Sequence, residues 1–195
     1  MRWLKFSIRV VSWPLSHGLS YAVVVQLRND YRIRLARTED IRPALLMKLQ
    51  AWREAYGHLR PESFFTEQED QLEAQVQWWE RGIEAGAQFY VAELADGTII
   101  GLAGGTPVID EDKDTGVEIE LGMLYVLSPL YGTGVGEHLL ETVLCRRDAL
   151  VWVLEQNSRA RAFYAKHGFE TDGTGEDLAG CWEGLREIRM VRKRG

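Results

Sequence analysis

The chain has 195 residues, 46% apolar and 27% charged, a composition that suits a globular domain, alone or with an extension. Its formal net charge of −6 argues against a nucleic-acid-binding surface and favours a positively charged partner such as an amine. Two cysteines, Cys145 and Cys181, without a CxxC pair or a His/Cys cluster, exclude a disulfide framework, and no metal site is expected.

Residues 1–30 differ from the rest. Arg2, Lys5 and Arg9 precede a stretch, Val10 to Leu27, whose one group ionising near neutral pH is His17. A signal peptide with Ser20-Tyr21-Ala22 as cleavage site is one reading. Pro14, Ser16, Gly18 and Ser20 interrupt the apolar run too often for a membrane span, so none is expected. The preferred expectation is a poorly ordered extension or the product of an upstream start codon.

From Tyr31 the pattern becomes regular. Tyr31 to Ala36 alternates as a strand, with Ile33 and Leu35 on one face. Ile41, Leu45, Leu49, Trp52 and Tyr56 then recur at helical spacing. Pro43 must lie in that helix's first turn, so Asp40 is the expected cap, and Gly57 ends it. Thr66 and Glu69 form a capping-box pattern for a second helix running to about Glu84. Strands over Gln88–Leu94 and Thr98–Pro107 are joined by Asp96-Gly97, a two-residue hairpin signal. Asp110 to Asp114 reads DEDKD, but an EF-hand would need glycine and glutamate where Thr115 and Leu121 stand, so a solvated turn is expected. A strand over Gly116–Leu127 follows, in which period-two alternation puts Glu118 and Glu120 on one face.

Strand gives way to helix through Tyr131-Gly132-Thr133-Gly134-Val135-Gly136. Bare backbone at a helix N-terminus offers N–H groups and the positive end of the helix dipole to a phosphate or diphosphate. No GxxxxGK[ST] occurs, which removes an NTPase P-loop. A dinucleotide site remains open, because Glu155 lies near the end of the next strand, Leu150 to Leu154, although the spacing is GxGxG rather than GxGxxG. A glycine turn that only tightens the chain also remains open. Cys145 is expected to be a buried thiol in the helix after this loop. Asn157 to Phe169 reads NSRARAFYAKHGF: Ser158 can cap a short helix, Gly168 can end it, and Ala160, Phe163, Tyr164 and His167 share a face. A strand opens at Phe169, and Leu185 to Lys193 alternates as the last one. The expected fold is α/β, a mixed sheet of about seven strands flanked by about four helices, in the order βααβββαβαβ plus a final strand.

The glycine loop and the Asn157–Phe169 segment, in this order, resemble the coenzyme A-binding half of the Gcn5-related N-acetyltransferases (GNAT). That family's loop reads Gln/Arg-x-x-Gly-x-Gly/Ala, with Tyr131 standing here in place of Gln or Arg. Its second pattern, Asn-x-x-Ala-x-x-Phe/Leu-Tyr-x-x-x-Gly-Phe, is met by Asn157, Ala160, Phe163, Tyr164, Gly168 and Phe169. The resemblance covers about Tyr31 to Val191 and implies a GNAT domain over residues 31–195. It implies acetyl-CoA as cosubstrate and direct acetyl transfer to a primary amine of a small molecule or peptide. Main-chain groups of Tyr131, Gly132, Thr133, Gly134, Val135 and Gly136 would hold the diphosphate. Backbone at Leu124, Tyr125 and Val126, with Asn157, would hold the pantetheine arm. Tyr164 would be the general acid toward the coenzyme A sulfur, and Glu120 or Glu118 the base. In that family the first two helices overhang the acceptor pocket, which would put Trp52, Tyr56, Trp78 and Trp79 at its border, but they are not assigned to substrate, because Trp52 and Tyr56 share a stripe that reads as core. An acetyl-CoA enzyme is expected in the cytoplasm. The alternative is a non-catalytic acetyl-CoA-binding or sensing domain. Oligomeric state is open, a homodimer included.

Overall fold

The computed structural model describes residues 30–194, so the expectations for residues 1–29 lie outside the described residues. Seven strands are present: β1 (Tyr31–Leu35), β2 (Phe89–Leu94), β3 (Ile99–Pro107), β4 (Ile119–Val126), β5 (Ala149–Leu154), β6 (Glu170–Asp177) and β7 (Arg186–Arg192). They hydrogen-bond in the order β1-β2-β3-β4-β5-β7-β6. The β1–β2, β2–β3, β5–β7 and β6–β7 pairs are antiparallel, whereas β4–β5 is parallel. A parallel pair needs a crossover, and the glycine turn with its helix supplies it.

Five α-helices accompany the sheet: α1 (Ile41–Tyr56), α2 (Glu62–Glu69), α3 (Leu72–Glu84), α4 (Val135–Leu144) and α5 (Ser158–Lys166). That is one more than expected, because the single helix ending near Glu84 is two helices that break at Asp70-Gln71. The capping-box expectation at Thr66 and Glu69 fails for the same reason. Pro61, at φ −70° and extended, starts α2 earlier, and the Thr66 hydroxyl bonds back to the Glu62 carbonyl at 3.2 Å.

By contacts the chain divides into two units, each taken by itself. One comprises residues 30–104 and Leu124–Thr142. Here α1 buries Ile41, Leu45, Leu49 and Trp52, as the stripe predicts, and packs on α3. Leu35, at the end of β1, is 46% exposed. Asp40 precedes α1 without capping it. Its carboxylate accepts from the Arg37 N–H at 2.7 Å and pairs with Arg34 at 2.5 and 2.8 Å, while Arg34 also reaches Glu93 at 2.8 Å. The hairpin forms as expected, with Gly97 at φ +88° and the Asp96 carboxylate accepting from the Thr98 N–H at 2.9 Å. On the other sheet face from α1, a Cβ at Gly101 would lie 2.8 Å from Leu139 Cδ1, so a bare position on β3 lets α4 approach closely.

The other unit comprises Gly105–Met123 and residues 143–194. DEDKD is a 3-10 turn, Asp110–Thr115, rather than a purely solvated one. Asp112 is 1% exposed and pairs with the buried Arg189 at 2.9 Å, and the Trp152 indole N–H donates to it at 3.1 Å. Asp114 and Asp172 complete the grip on Arg189 at 2.8 and 2.7 Å. Gly116 ends this turn in the left-handed region at φ +69°, and β4 starts at Ile119, three residues later than expected. Cys145 is exposed, not buried: α4 ends at Leu144, and Cys145 and Arg146 turn the chain with φ of +46° and +63°.

Candidate functional site

The expected site residues divide between the units. Leu124, Tyr125, Val126 and the whole stretch Tyr131–Gly136 fall in one; Glu118, Glu120, Asn157 and Tyr164 fall in the other.

In the first unit, β4 runs into a 3-10 turn, Ser128–Leu130, and then into the glycine turn ahead of α4. Gly132 and Gly134 take φ of +76° and +96°, the left-handed region that a side chain strains. A Cβ built at either would meet nothing within 4 Å, so the turn is bare toward open space. This fits a diphosphate, which needs close approach to main-chain N–H groups. Not all six residues of the loop offer one. The N–H groups of Tyr131 and Thr133 already donate to the Ser128 and Leu130 carbonyls at 3.1 and 3.2 Å. The His138 N–H closes the first helical turn on the Gly134 carbonyl at 2.9 Å. The first N–H groups of the helix from Val135 have no helical carbonyl to reach and are the donors such a turn can offer.

The β4–β5 ladder covers Ile119↔Ala149 and Glu120↔Leu150. Leu124, Tyr125 and Val126 lie beyond it on β4, and all three are half-buried. The Tyr125 ring stands edge-on to Trp52 of α1 at 6.2 Å. Burial pushes the Tyr125 phenol above its usual range, the neighbouring Tyr56 adds to this, and the Trp52 N–H opposes it. Glu54, one residue pair along α1, accepts from the Ser128 N–H at 2.6 Å and so ties that helix to the turn feeding the glycine loop. Sequence reasoning missed Glu54. Helical spacing puts it opposite the stripe of α1, where an exposed glutamate reads as an ordinary solvent-facing residue.

In the second unit, Glu120 is buried on β4, 7% exposed. Glu118 is exposed and precedes the strand, its carbonyl accepting from the Val108 N–H at 3.1 Å, so the alternation that was to align the two carboxylates starts too late to do so. Asn157, not Ser158, caps α5: its side-chain oxygen accepts from the Ala160 N–H at 3.0 Å, and Ser158 is the first helical residue. Gly168 takes the expected left-handed φ, +84°. Tyr164 is 7% exposed, its ring 5.5 Å from Phe163 and 5.6 Å from Phe169, both edge-on.

Residues 85–171, which carry the glycine turn, Asn157 and Tyr164, match the family model described as an acetyltransferase (GNAT) domain. That match spans 87 of the 195 residues, so it is this segment that is similar to a GNAT domain. An 85-residue stretch is 40% identical to "Uncharacterized N-acetyltransferase Rv2669" of Mycobacterium tuberculosis, over 40% of this chain and 51% of that protein. The chain thus spans about half the length of this relative. "Probable N-acetyltransferase Rv2775" of the same organism is 28% identical over 155 residues, 74% of this chain and 83% of that one. Among solved structures, the chain resembles PaiA N-acetyltransferase of Thermoplasma acidophilum in complex with coenzyme A. There the TM-score is 0.59 at 20% identity, over 84% of this chain and 99% of that one. YncA of Salmonella typhimurium with acetyl-CoA gives 0.60 at 19% identity, over 84% and 93%. Likeness at that identity speaks for the fold. Among the described residues no helix is long and apolar enough to cross a membrane, and no group of three or more His, Cys, Asp or Glu side chains is placed for a metal ion.

Proposed function

We propose that the protein is an acetyl-CoA-dependent N-acetyltransferase that acts on a primary amine of a small molecule or peptide, working in the cytoplasm. The observation that carries this reading is the bare turn before α4, with left-handed Gly132 and Gly134 open to solvent. The match of residues 85–171 to the GNAT domain model and the coenzyme A and acetyl-CoA complexes of its structural neighbours support it. Acetyl-CoA, when bound, supplies an acetyl group activated as a thioester.

This chain's groups then do the rest. N–H groups of Gly132, Gly134, Val135 and Gly136 hold the diphosphate, with the α4 dipole behind them. Main-chain groups of Leu124, Tyr125 and Val126, beyond the β4–β5 ladder, pair with the extended pantetheine arm, and one N–H there polarises the thioester carbonyl. Tyr131 and Thr133 shape the turn through their internal hydrogen bonds. Asn157 presents its amide to the arm from its capping position. A carboxylate, Glu120 or the more exposed Glu118, takes the proton of the attacking amine, directly or through water. The Tyr164 hydroxyl gives its proton to the departing sulfur.

Burial of Tyr164 between Phe163 and Phe169 favours a second reading, an acetyl-CoA-binding domain without turnover. A Tyr164→Phe variant separates the two. It keeps the ring packing and removes only the acid, so turnover should fall by about 100-fold or more while calorimetric affinity for coenzyme A stays. Unchanged turnover would overturn the acid role, and no turnover in the parent with any amine would favour the second reading.

A further inference from the structure

Ser128 opens the 3-10 turn between β4 and the glycine turn, and Leu127 ahead of it supplies no capping side chain. The Ser128 N–H instead donates to Glu54 Oε2 of α1 at 2.6 Å, a residue 74 positions away in the chain. The other carboxylate oxygen, Oε1, accepts from the Gln50 amide one helical turn back at 2.9 Å, which holds the Glu54 side chain against its own helix. From Ser128 a run of turn hydrogen bonds leads to the glycines. The Tyr131 N–H donates to the Ser128 carbonyl at 3.1 Å, the Leu130 N–H to the Leu127 carbonyl at 3.0 Å and the Thr133 N–H to the Leu130 carbonyl at 3.2 Å. The bond from the Leu127 N–H to the Ile100 carbonyl, which ties the same end of β4 to β3, is long at 3.5 Å. Of these two ties at the entrance to the turn, the one to Glu54 is shorter and charge-assisted. All of these groups belong to one unit.

We infer that Glu54 is a positioning residue for the cofactor: by capping the Ser128 N–H it holds the glycine turn in its diphosphate-binding shape before coenzyme A arrives. This deepens the acetyltransferase reading and rests on it, adding a residue of α1 that lies outside both sequence motifs. Binding is weakened by whatever ordering it must itself impose, so a turn set in advance binds more tightly. The effect is large here because Gly132 and Gly134 lie in the turn, and glycine loses more backbone freedom on being fixed than any other residue. Charge works in the opposite direction, since a carboxylate repels a diphosphate. Glu54 is exposed, so solvent and salt screen that repulsion, whereas its hydrogen bond to Ser128 is direct. Positioning therefore outweighs repulsion, and loss of the carboxylate weakens cofactor binding.

The test is calorimetric binding of coenzyme A to the full chain and to four variants: Glu54→Ala, Glu54→Gln, Ser128→Pro, and Glu54→Ala combined with Ser128→Pro. Proline at 128 deletes the donor of the same bond. The first residue of a helical turn accepts it, and Leu127 already has the extended backbone that precedes a proline, φ −64° and ψ 144°. Glu54→Ala and Ser128→Pro should each weaken binding about three- to tenfold, and the double variant no more than either alone. Glu54→Gln keeps an acceptor oxygen without the charge and should recover most of the loss. In a thiol-release assay the KM for acetyl-CoA should rise in Glu54→Ala by the same factor, with kcat changed less than about twofold. A change that only destabilised the fold would lower kcat through the active fraction instead. Additive losses in the double variant, Glu54→Ala binding as tightly as the parent or more tightly, Glu54→Gln no better than Glu54→Ala, or a fall in kcat alone would overturn this inference while the parent still binds and turns over. No binding and no thiol release by the parent would sink the acetyltransferase reading as well.

Discussion

Lys48 is 8% exposed on α1, and its ammonium reaches the Gln75 side-chain oxygen at 3.2 Å, between the rings of Trp52 and Trp79. Burial holds its pKa down at about 8 from an ordinary 10.5. The folded state therefore carries the cost of a buried ammonium in full below pH 8. Between about pH 8 and 10.5 the unfolded chain binds the extra proton, so this residue's contribution to stability improves as pH rises. Lys48→Met keeps the volume and removes the charge, and should stabilise the fold at pH 7 by about 1–3 kcal/mol, with the gain shrinking toward pH 10. Denaturant melts of both proteins at the two pH values check this; a variant less stable than the parent at pH 7 would contradict it. Lys48, Trp52 and Tyr56 stand four residues apart, so their shared face was readable from spacing. That Tyr56 retains exposed surface beside β4 was not, because only the packing of α1 on the sheet decides how much of a stripe is covered. Asn157 shows the same limit: its place in the motif was plain, while its capping bond to Ala160 depends on where α5 starts.

At the scale of elements, the glycine turn, the hairpin and the end of α5 are where expected. Each is specified by a residue that tolerates a left-handed backbone: Gly132 and Gly134, Gly97, and Gly168. Two carboxylate roles were misjudged because an arginine elsewhere in the chain claims the group. Asp40 does not cap α1 because Arg34, six residues earlier, claims its carboxylate. DEDKD is not simply solvated because Arg189 on β7 draws in Asp112 and Asp114. Neither arginine announces its partner in a linear reading. The Arg34 cluster makes a pH prediction. Hydrogen bonds from Arg34, then Arg32, hold the Glu93 carboxyl at about 2 rather than the ordinary 4.5, and Asp40 is lowered by Arg34 in the same way. The stabilisation is complete above the ordinary carboxylate range and is lost as pH falls through about 2. Arg34→Gln should move the acid-unfolding midpoint upward, toward the ordinary carboxylate range, as followed by circular dichroism. An unmoved midpoint would show that these carboxyls do not govern acid stability.

For the molecule as a whole, the strand segments were legible because the periodic stretches are long and punctuated by glycine, whereas the sheet order that puts β7 between β5 and β6 was not, since pairing is decided between segments distant in sequence. The chain's −6 charge suits an ammonium-bearing partner reaching the surface. The chemistry proposed depends on one property above the others, that the turn before α4 binds the diphosphate of coenzyme A. Isothermal calorimetry on the parent chain and on Gly134→Val measures it most directly, since a branched side chain at φ +96° strains the backbone and fills the open side of the turn. The parent should give a saturable one-to-one heat with coenzyme A, and the variant should bind about tenfold more weakly or not at all while remaining folded. No heat from the parent with either coenzyme A or acetyl-CoA, or equal binding by both proteins, would contradict the account.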